Sequence, residues 1–459
     1  MHFEHNIVKD HIRQIRAVAP AKSIAVSFAI LILIGALLLC LPIASNDGHY
    51  TNLFDTLFTA TSATCVTGLI LFDTFTKWSL FGQLVILALI QIGGIGFITF
   101  VTFFSLTVRH KIGLRDRNLA RESINSSSSI DTAHLLRLVI FFTLCIETIG
   151  AAVLAIRFIP LFGTRGIYVS IFTAISAYCN AGFDIFGSVH PFSSVTSFSH
   201  DPLVLITISV LVIIGGLGFI VFQDIVMYRK RRKLMFHTKI VLLMSAVLLV
   251  VGALSFLGME YHNRATLDHM TLGDKLSNSF FNATVSRTAG FNSVNLNSLH
   301  DFTKLFLILF MFIGGSPGST SGGIKVTTFA VILGTVFSVI TGRDETVLFG
   351  RRVDKKVVYR ALAIILLSMI LVICTTGIIL FYDKHVSAID ALFEATSAFG
   401  TVGMSTGITP TLGVIPKIAL ILTMFIGRVG PISFAIALTI KHANSKSNEV
   451  LPEGQIIVG

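Results

Sequence analysis

The sequence predicts an all-α integral membrane protein in which four fused membrane-pore-membrane repeats surround a pseudo-fourfold pore. Three observations carry that prediction. Hydrophobic residues make up 53% of the 459 and charged residues 13%, with mean hydropathy +0.82, too little polar surface to clothe a water-facing chain of this length. The Lys and Arg residues gather in stretches between apolar segments. A short segment ending in glycine recurs four times along the chain.

At roughly 20 apolar residues per span, the length allows about eight spans with shorter embedded pieces between them. Residues 1–20 are polar and lack the small-residue cleavage site of a secretory signal, so the span that follows is expected to be retained. Repeat one is expected over 21–107, repeat two over 134–228, repeat three over 238–340 and repeat four over 357–442. Loops at 108–133, 229–237 and 341–356 join them, and a tail covers 443–459. Outer spans are predicted at 21–43, 135–159, 238–259 and 357–382, and inner spans at 79–107, 202–228, 302–340 and 413–441.

Between outer and inner spans lie FDTLFTATSATCVTG, VSIFTAISAYCNAG, SNSFFNATVSRTAG and IDALFEATSAFGTVG. Their final glycines, Gly68, Gly182, Gly290 and Gly403, are 114, 108 and 113 residues apart. The inner spans align independently, because Ile92-Gly93-Gly94, Ile214-Gly215-Gly216, Ile313-Gly314-Gly315 and Ile426-Gly427-Arg428 follow at similar intervals. One such pair could serve close helix packing alone. Four in register with four pore glycines point to a shared unit of helix, pore loop and helix. Asp55, Ser277 and Asp390, each thirteen residues before its glycine, are residue types that cap helix N-termini; repeat two has Val169 there, beside Ser170.

The net charge is +11, and 23 of the 35 basic residues fall near the termini or in the clusters Arg109–Arg121, Arg229–Lys239 and Arg343–Arg360. The positive-inside rule then puts those loops and both termini in the cytoplasm, without requiring a nucleic-acid partner. Contact of the clusters with anionic lipid or an acidic partner is compatible with that reading. The five cysteines, Cys40, Cys65, Cys145, Cys179 and Cys374, lack metal or disulfide spacing and are read as reduced packing residues.

Non-helical backbone is tolerated at membrane depth only where protein or water meets its amides and carbonyls, so the four short loops must surround a wet path. A pore helix of about ten residues aims roughly half a negative charge from its C-terminus toward the bilayer centre, and four such ends favour a cation. After each helix comes a filter-like stretch: Thr64-Cys65-Val66-Thr67-Gly68, Cys179-Asn180-Ala181-Gly182, Arg287-Thr288-Ala289-Gly290 and Gly400-Thr401-Val402-Gly403. Glycine suits the end of such a stretch because it admits backbone angles closed to other residues and adds nothing to the bore.

These features resemble the Ktr, Trk and HKT superfamily of potassium transporters, in which each filter ends in a single glycine. The phrases TVSRTAGFNS (284–293) and GGSPGSTSGGIK (314–325) are the most specific, and the likeness covers nearly the whole chain. With no extra N-terminal pair of spans and an ending LPEGQIIVG, the sequence is similar to the Ktr-type membrane subunit. The resemblance implies selective, gated potassium uptake across the plasma membrane, with the ion held at Val66, Gly68, Asn180, Gly182, Thr288, Gly290, Val402 and Gly403. It also implies a homodimer, a cytosolic RCK-type nucleotide-binding ring as a separate partner, and stimulation by sodium. Potassium would be the substrate, and no organic cofactor is expected in this chain.

The run Gly314-Gly315-Ser316-Pro317-Gly318-Ser319-Thr320-Ser321-Gly322-Gly323 must break its helix, giving either a static kink or, as the resemblance implies, a movable gate. The run imitates a phosphate loop, but Ile324 intrudes before Lys325 and no hydroxyl residue follows, so that pattern fails. Arg428 replaces a glycine of the other repeats and should face the pore, hydrogen-bonding the carbonyls of the broken span. Arg287 is expected to point behind the filter. Glu147, on an outer span, should meet a partner inside the protein, and Glu394 should brace the fourth filter. The competing reading is a secondary transporter with obligatory sodium or proton coupling, which inverted repeats would favour. An intramembrane enzyme would need a nucleophile with a base or a metal cluster, and the spans offer neither motif.

Overall fold

A computed structural model describes residues 23–96, 132–431 and 434. The N-terminal segment, the basic cluster Arg109–Arg121, the lower part of the first and fourth inner spans and the C-terminal tail lie outside the described residues. Four long apolar helices, Ser23–Cys40, Leu138–Phe162, Phe236–Glu260 and Lys355–Tyr382, take the places of the outer spans; the second begins at Thr132. Only 22–33% of each apolar window is buried, so these helices turn most of their side chains outward to a surface that must be lipid.

Pore helices run over Leu53–Thr64, Arg165–Tyr178, Leu272–Val285 and Ala388–Gly400. Those of repeats two and four pack against both the outer and the inner helix of their own repeat, that of repeat one against its inner helix and that of repeat three against its outer helix. The inner helices begin at Leu80, Pro202, Asp301 and Val414. Inner helix one also packs on pore helix two, inner helix two on pore helix three, inner helix three on pore helix four, and inner helix four on pore helix one. That cyclic order closes the repeats into a ring.

The pore-helix caps lie three to six residues before the expected positions. Asn52 accepts the Phe54 amide at 3.0 Å, Thr271 that of Asp274 at 3.3 Å, and Ser387 that of Asp390 at 3.1 Å. Asp55, Asp274 and Asp390 are thus the third residues of their helices, where an acid meets the unpaired amides and the positive end of the dipole. Ser277 lies inside its helix and donates to the Asp274 carbonyl at 3.0 Å. Repeat two begins at Thr164 without a side-chain cap, and Ser170 bonds back to the Gly166 carbonyl.

The inner spans depart most from expectation. Continuous helices are predicted below the glycine pairs of repeats one and two, but the first inner helix stops at Ile95 with Gly96 at φ +92°. The second, Pro202–Leu217, is followed by Phe219–Arg231 at an angle of 91°. Gly218 makes that corner at φ +88°. The fourth inner helix stops at Val429, with Gly430 at φ +93°. In repeat three the helix Asp301–Phe312 ends before the glycine-rich run, and helix resumes at Val326–Ile340.

The run 314–325 explains why the second repeat can break. Its own backbone and the corner at Gly218 leave amides and carbonyls that each would otherwise strand, and the two sets pair. Ser316 and Thr320 amides donate to the Gly216 and Gly215 carbonyls at 2.9 and 3.4 Å, while the Phe219 amide donates to the Gly318 carbonyl at 3.1 Å. Gly314 and Ile324 close the base of the loop, the Gly314 amide donating to the Ile324 carbonyl at 2.8 Å.

A candidate ion pathway ringed by four glycines

Gly68, Gly182, Gly290 and Gly403 all have positive φ, at +94°, +69°, +74° and +90°. Two residues earlier, Val66, Asn180, Thr288 and Thr401 are left-handed as well, at +58°, +61°, +79° and +48°. The match across repeats fixes their register: the counterpart of Val66 in repeat four is Thr401, one residue before the expected Val402. Non-glycine residues in this region cost roughly 1–2 kcal/mol each, so four at one register require local over-determination.

The pore-helix ends supply it. Thr67, Ala181 and Val402 amides donate to the carbonyls of Ser62, Ser176 and Ser397 at 2.8, 2.7 and 2.8 Å, and Ala289 to Val285 at 2.9 Å. The hydroxyls of Ser62 and Ser397 also accept the Gly68 and Gly403 amides at 3.1 and 3.0 Å. In repeat two Ser176 instead donates to the Phe183 carbonyl at 2.6 Å. Sequence reasoning passed over these serines, although a serine six residues before the glycine recurs in three of the four repeats.

The ring itself is read from what a side chain would strike. A Cβ added to Gly68 meets the Ala181 carbonyl oxygen, one on Gly182 meets that of Ala289, one on Gly290 that of Val402, and one on Gly403 that of Thr67. Each glycine therefore lies against the carbonyl preceding the next repeat's glycine, and the fourth returns to the first. The glycine end of the ring opens into a cavity of about 370 Å³ lined by all four glycines, Ile70, Asp184, Phe192, Ser194, Asn292 and Ser405, among others.

At the opposite end of the filter stretches sits the 314–325 loop, with Ser316, Thr320 and Ser321 buried. Cβ atoms on Gly322 and Gly323 would meet Thr401 and Gly400, which places the loop against the fourth stretch. The Asn180 side chain lies 2.8 Å from Ser321 Oγ and 3.1 Å from Thr288 Oγ1. With its oxygen toward those hydroxyls, its NH2 donates to the Ala177 and Val212 carbonyls. This link between the second stretch, the third and the loop had no sequence signal, because it joins residues 141 positions apart.

Arg428, on the fourth inner helix, bridges the third and first repeats. It donates to the Thr320 carbonyl of the loop and, on the other side, to the Gly93 and Gly94 carbonyls of the first inner helix. Lys325 Nζ donates to the Ser321 carbonyl of the same loop at 2.6 Å. Arg287 points away behind the third stretch, as expected, but contacts only Ser245, by its carbonyl at 3.3 Å and hydroxyl at 3.5 Å; its Nε has no partner among the described residues. Glu147 is buried and accepts from Gln91 of the first inner helix at 3.0 and 3.2 Å. Fully buried Glu394 accepts from Ser405 at 3.0 Å and from Thr409, tying pore helix four to the chain beyond its glycine.

The fold and this ring define a multi-pass membrane protein of the pore-loop class, with a glycine-lined axis suited to a desolvated cation. Residues 5–450 match the TrkH family of cation transport proteins, and the chain belongs to that family. It is 39% identical over 442 residues to Ktr system potassium uptake protein B of Bacillus subtilis, covering 96% of this chain and 97% of that protein. Potassium/sodium uptake protein NtpJ of Enterococcus hirae is 36% identical over 457 residues, 99% of this chain and 100% of that one. The crystal structure of the potassium transporter TrkH from Vibrio parahaemolyticus shares the fold, with a TM-score of 0.69 and 16% identity over 91% of this chain and 84% of the other.

Proposed function

We propose that this chain carries potassium into the cell through the glycine ring, as the membrane subunit of a Ktr-type system in the plasma membrane with both termini cytoplasmic. The observation that carries the reading is the closed cycle of glycine-to-carbonyl contacts. It leaves a bore without side chains, where carbonyl oxygens can replace an ion's water. The uptake of potassium named for the Bacillus subtilis relative, and of potassium or sodium for the Enterococcus relative, supports the choice of ion.

The 314–325 loop is the gate in this proposal. Arg428 staples its Thr320 carbonyl to the first inner helix, placing a guanidinium that a cation must pass or displace, and Lys325 ties the loop's Ser321 carbonyl. Opening requires the loop to exchange these partners. Control comes from a separate nucleotide-binding RCK ring on the basic face, the assembly is a homodimer, and sodium stimulates transport. Ion flux in proteoliposomes, with potassium and sodium gradients imposed separately, tests the core of the reading. Passive potassium flux without a sodium or proton gradient is expected, and flux that stops when either gradient is removed would replace the pore by a coupled carrier. Mild-detergent purification from native membranes should bring down a nucleotide-binding partner; its absence would remove the ring from the proposal.

A further inference from the structure

The chain between ring glycine and inner-helix glycine pair is longest in repeat two. There 33 residues separate Gly182 from Gly215, against 25, 24 and 24 for Gly68 to Gly93, Gly290 to Gly314 and Gly403 to Gly427. The extra length forms a loop over 186–198 whose ends meet. Phe186 and Phe198 pack with ring centroids 5.1 Å apart, and both lie against Phe158 of the second outer helix, at 5.4 and 5.3 Å. With closed ends and a short helical turn at each, Phe186–Ser188 and Thr196–Phe198, the loop is a compact body and not a slack tether.

Its tip is tied to the repeats on either side. Buried Asp73 of repeat one accepts the Phe192 amide on Oδ2 at 2.9 Å, while its Oδ1 holds the Phe75 and Thr76 amides at 3.1 and 2.9 Å. A Cβ on Gly187 would strike the same carboxylate, so the start of the loop is fitted to it as well. On the other side the Ser194 hydroxyl accepts the Asn292 amide of repeat three at 3.1 Å, and the Val195 amide donates to the Asn292 carbonyl at 3.0 Å. Between these ties Phe192 and Ser194 stand at φ +60° and +47°, a region that a bulky side chain rarely enters, and both line the cavity at the glycine end of the ring. Such strain persists only where the surroundings impose it. Here the Phe192 amide itself carries one tie and the Ser194 hydroxyl another.

We infer that Phe192 is a specificity-determining residue of the entrance: the loop holds its ring at the mouth as a screen that keeps organic ammonium ions off the glycine ring, and Asp73 is the residue that positions it. This inference deepens the proposed uptake reading and takes the cavity to face outside. A cavity of about 370 Å³ far exceeds the needs of one potassium ion and falls in the range that small organic ligands fill. A tetraethylammonium ion that reached it would rest on the carbonyl ring and stop the pore, so exclusion has to occur at the loop. The Phe192 side chain is 54% exposed, so no core packing accounts for its strained place. Asp73→Asn nearly preserves shape but turns one acceptor oxygen into a donor. Its partners on both sides are N–H groups, so one side must let go.

The test is inhibition of initial potassium uptake by external tetraethylammonium in cells lacking other potassium uptake, with membrane abundance and sodium competition measured for each variant. Wild type should be inhibited weakly, whereas Phe192→Ala and Asp73→Asn should each lower the half-inhibiting concentration roughly tenfold. Phe192→Tyr, which keeps the ring, should behave as wild type, and Gly187→Ala, which pushes on Asp73 from the loop side, should resemble Asp73→Asn. Wild type or Phe192→Tyr as sensitive as Phe192→Ala would overturn the screen. Sensitivity that arrives together with loss of sodium exclusion would place the change in the glycine ring and do the same. A second readout needs no transport. In purified protein carrying Ile70→Cys, a position lining the cavity, labelling of that peptide by a bulky impermeant thiol reagent should quicken roughly tenfold when Asp73→Asn is added. Unchanged labelling would overturn the positioning role. Quickened labelling in a protein that takes up no potassium would support the screen and strike instead at the uptake reading.

Discussion

Replacing Gly182 by serine probes the ring in two ways at once, through its backbone angle and through its close backbone neighbours. The residue has φ +69°, where a side chain costs roughly 1–2 kcal/mol, and a Cβ there would sit 2.7 Å from the Ala289 carbonyl oxygen and 2.8 Å from Gly290 Cα. Both neighbours are backbone and cannot rotate away, so the third stretch must shift, at an overpacking cost of about 1–3 kcal/mol. The ring relieves the clash by widening, and the strain returns when it closes on a dehydrated potassium ion. A penalty of about 2 kcal/mol on the closed, ion-bound ring alone raises KM for potassium roughly 30-fold. Sodium, which gains less from the original spacing, should then compete better. The assay is potassium uptake with and without excess sodium in proteoliposomes holding equal amounts of variant. Unchanged KM and sodium exclusion in serine variants of all four glycines would refute the ring as the selecting element.

Arg428→Ala removes charge-assisted bonds to three carbonyls on two repeats, worth about 1.5–3 kcal/mol each where geometry is good. Flux should therefore rise tenfold or more and depend less on any regulatory partner; a fall in a properly folded variant would dissociate Arg428 from gating. Deleting part of 316–321 should move flux in the same direction with ion selectivity kept, which single-channel or flux measurements would show. Asp390→Asn should destabilise the protein by about 3–5 kcal/mol, because it strands buried Lys304, whose ammonium lies 3.0 Å from Asp390. Adding Lys304→Met should recover most of the loss in thermal unfolding in detergent. Ser387→Ala should cost about 1 kcal/mol as a lost cap, whereas Ser277→Ala should stay within about 0.5 kcal/mol.

Much of the ring was written in one dimension, because a pore repeat must return a glycine to the axis at each turn of the ring. The spacing of Gly68, Gly182, Gly290 and Gly403, with the trailing glycine pairs, located the stretches that the structure gathers. The cap register was misread because an acid at the third helical position and a capping residue share the same chemistry, and composition alone does not separate them. Gly218 gave no warning, since Leu217-Gly218-Phe219 lies inside an apolar run and its freed amides are met by a loop about a hundred residues away. Asn180 and Ser321 are silent for the same reason: their bond is a property of the closed ring. Glu147 was expected to find an internal partner, but only packing reveals that the partner is Gln91.

Because one chain winds through all four quadrants, its quarters are free to differ. A ring of identical subunits receives every mutation four times over, so a single arginine at the axis would become a crown of four and a single acid at the mouth a square of like charges. Here Arg428, Asp184 and the glycine-rich 314–325 loop each belong to a single repeat. Selection can thus adjust the barrier, the entrance and the moving part in steps a quarter the size, leaving the remaining three sides of the ring as they were.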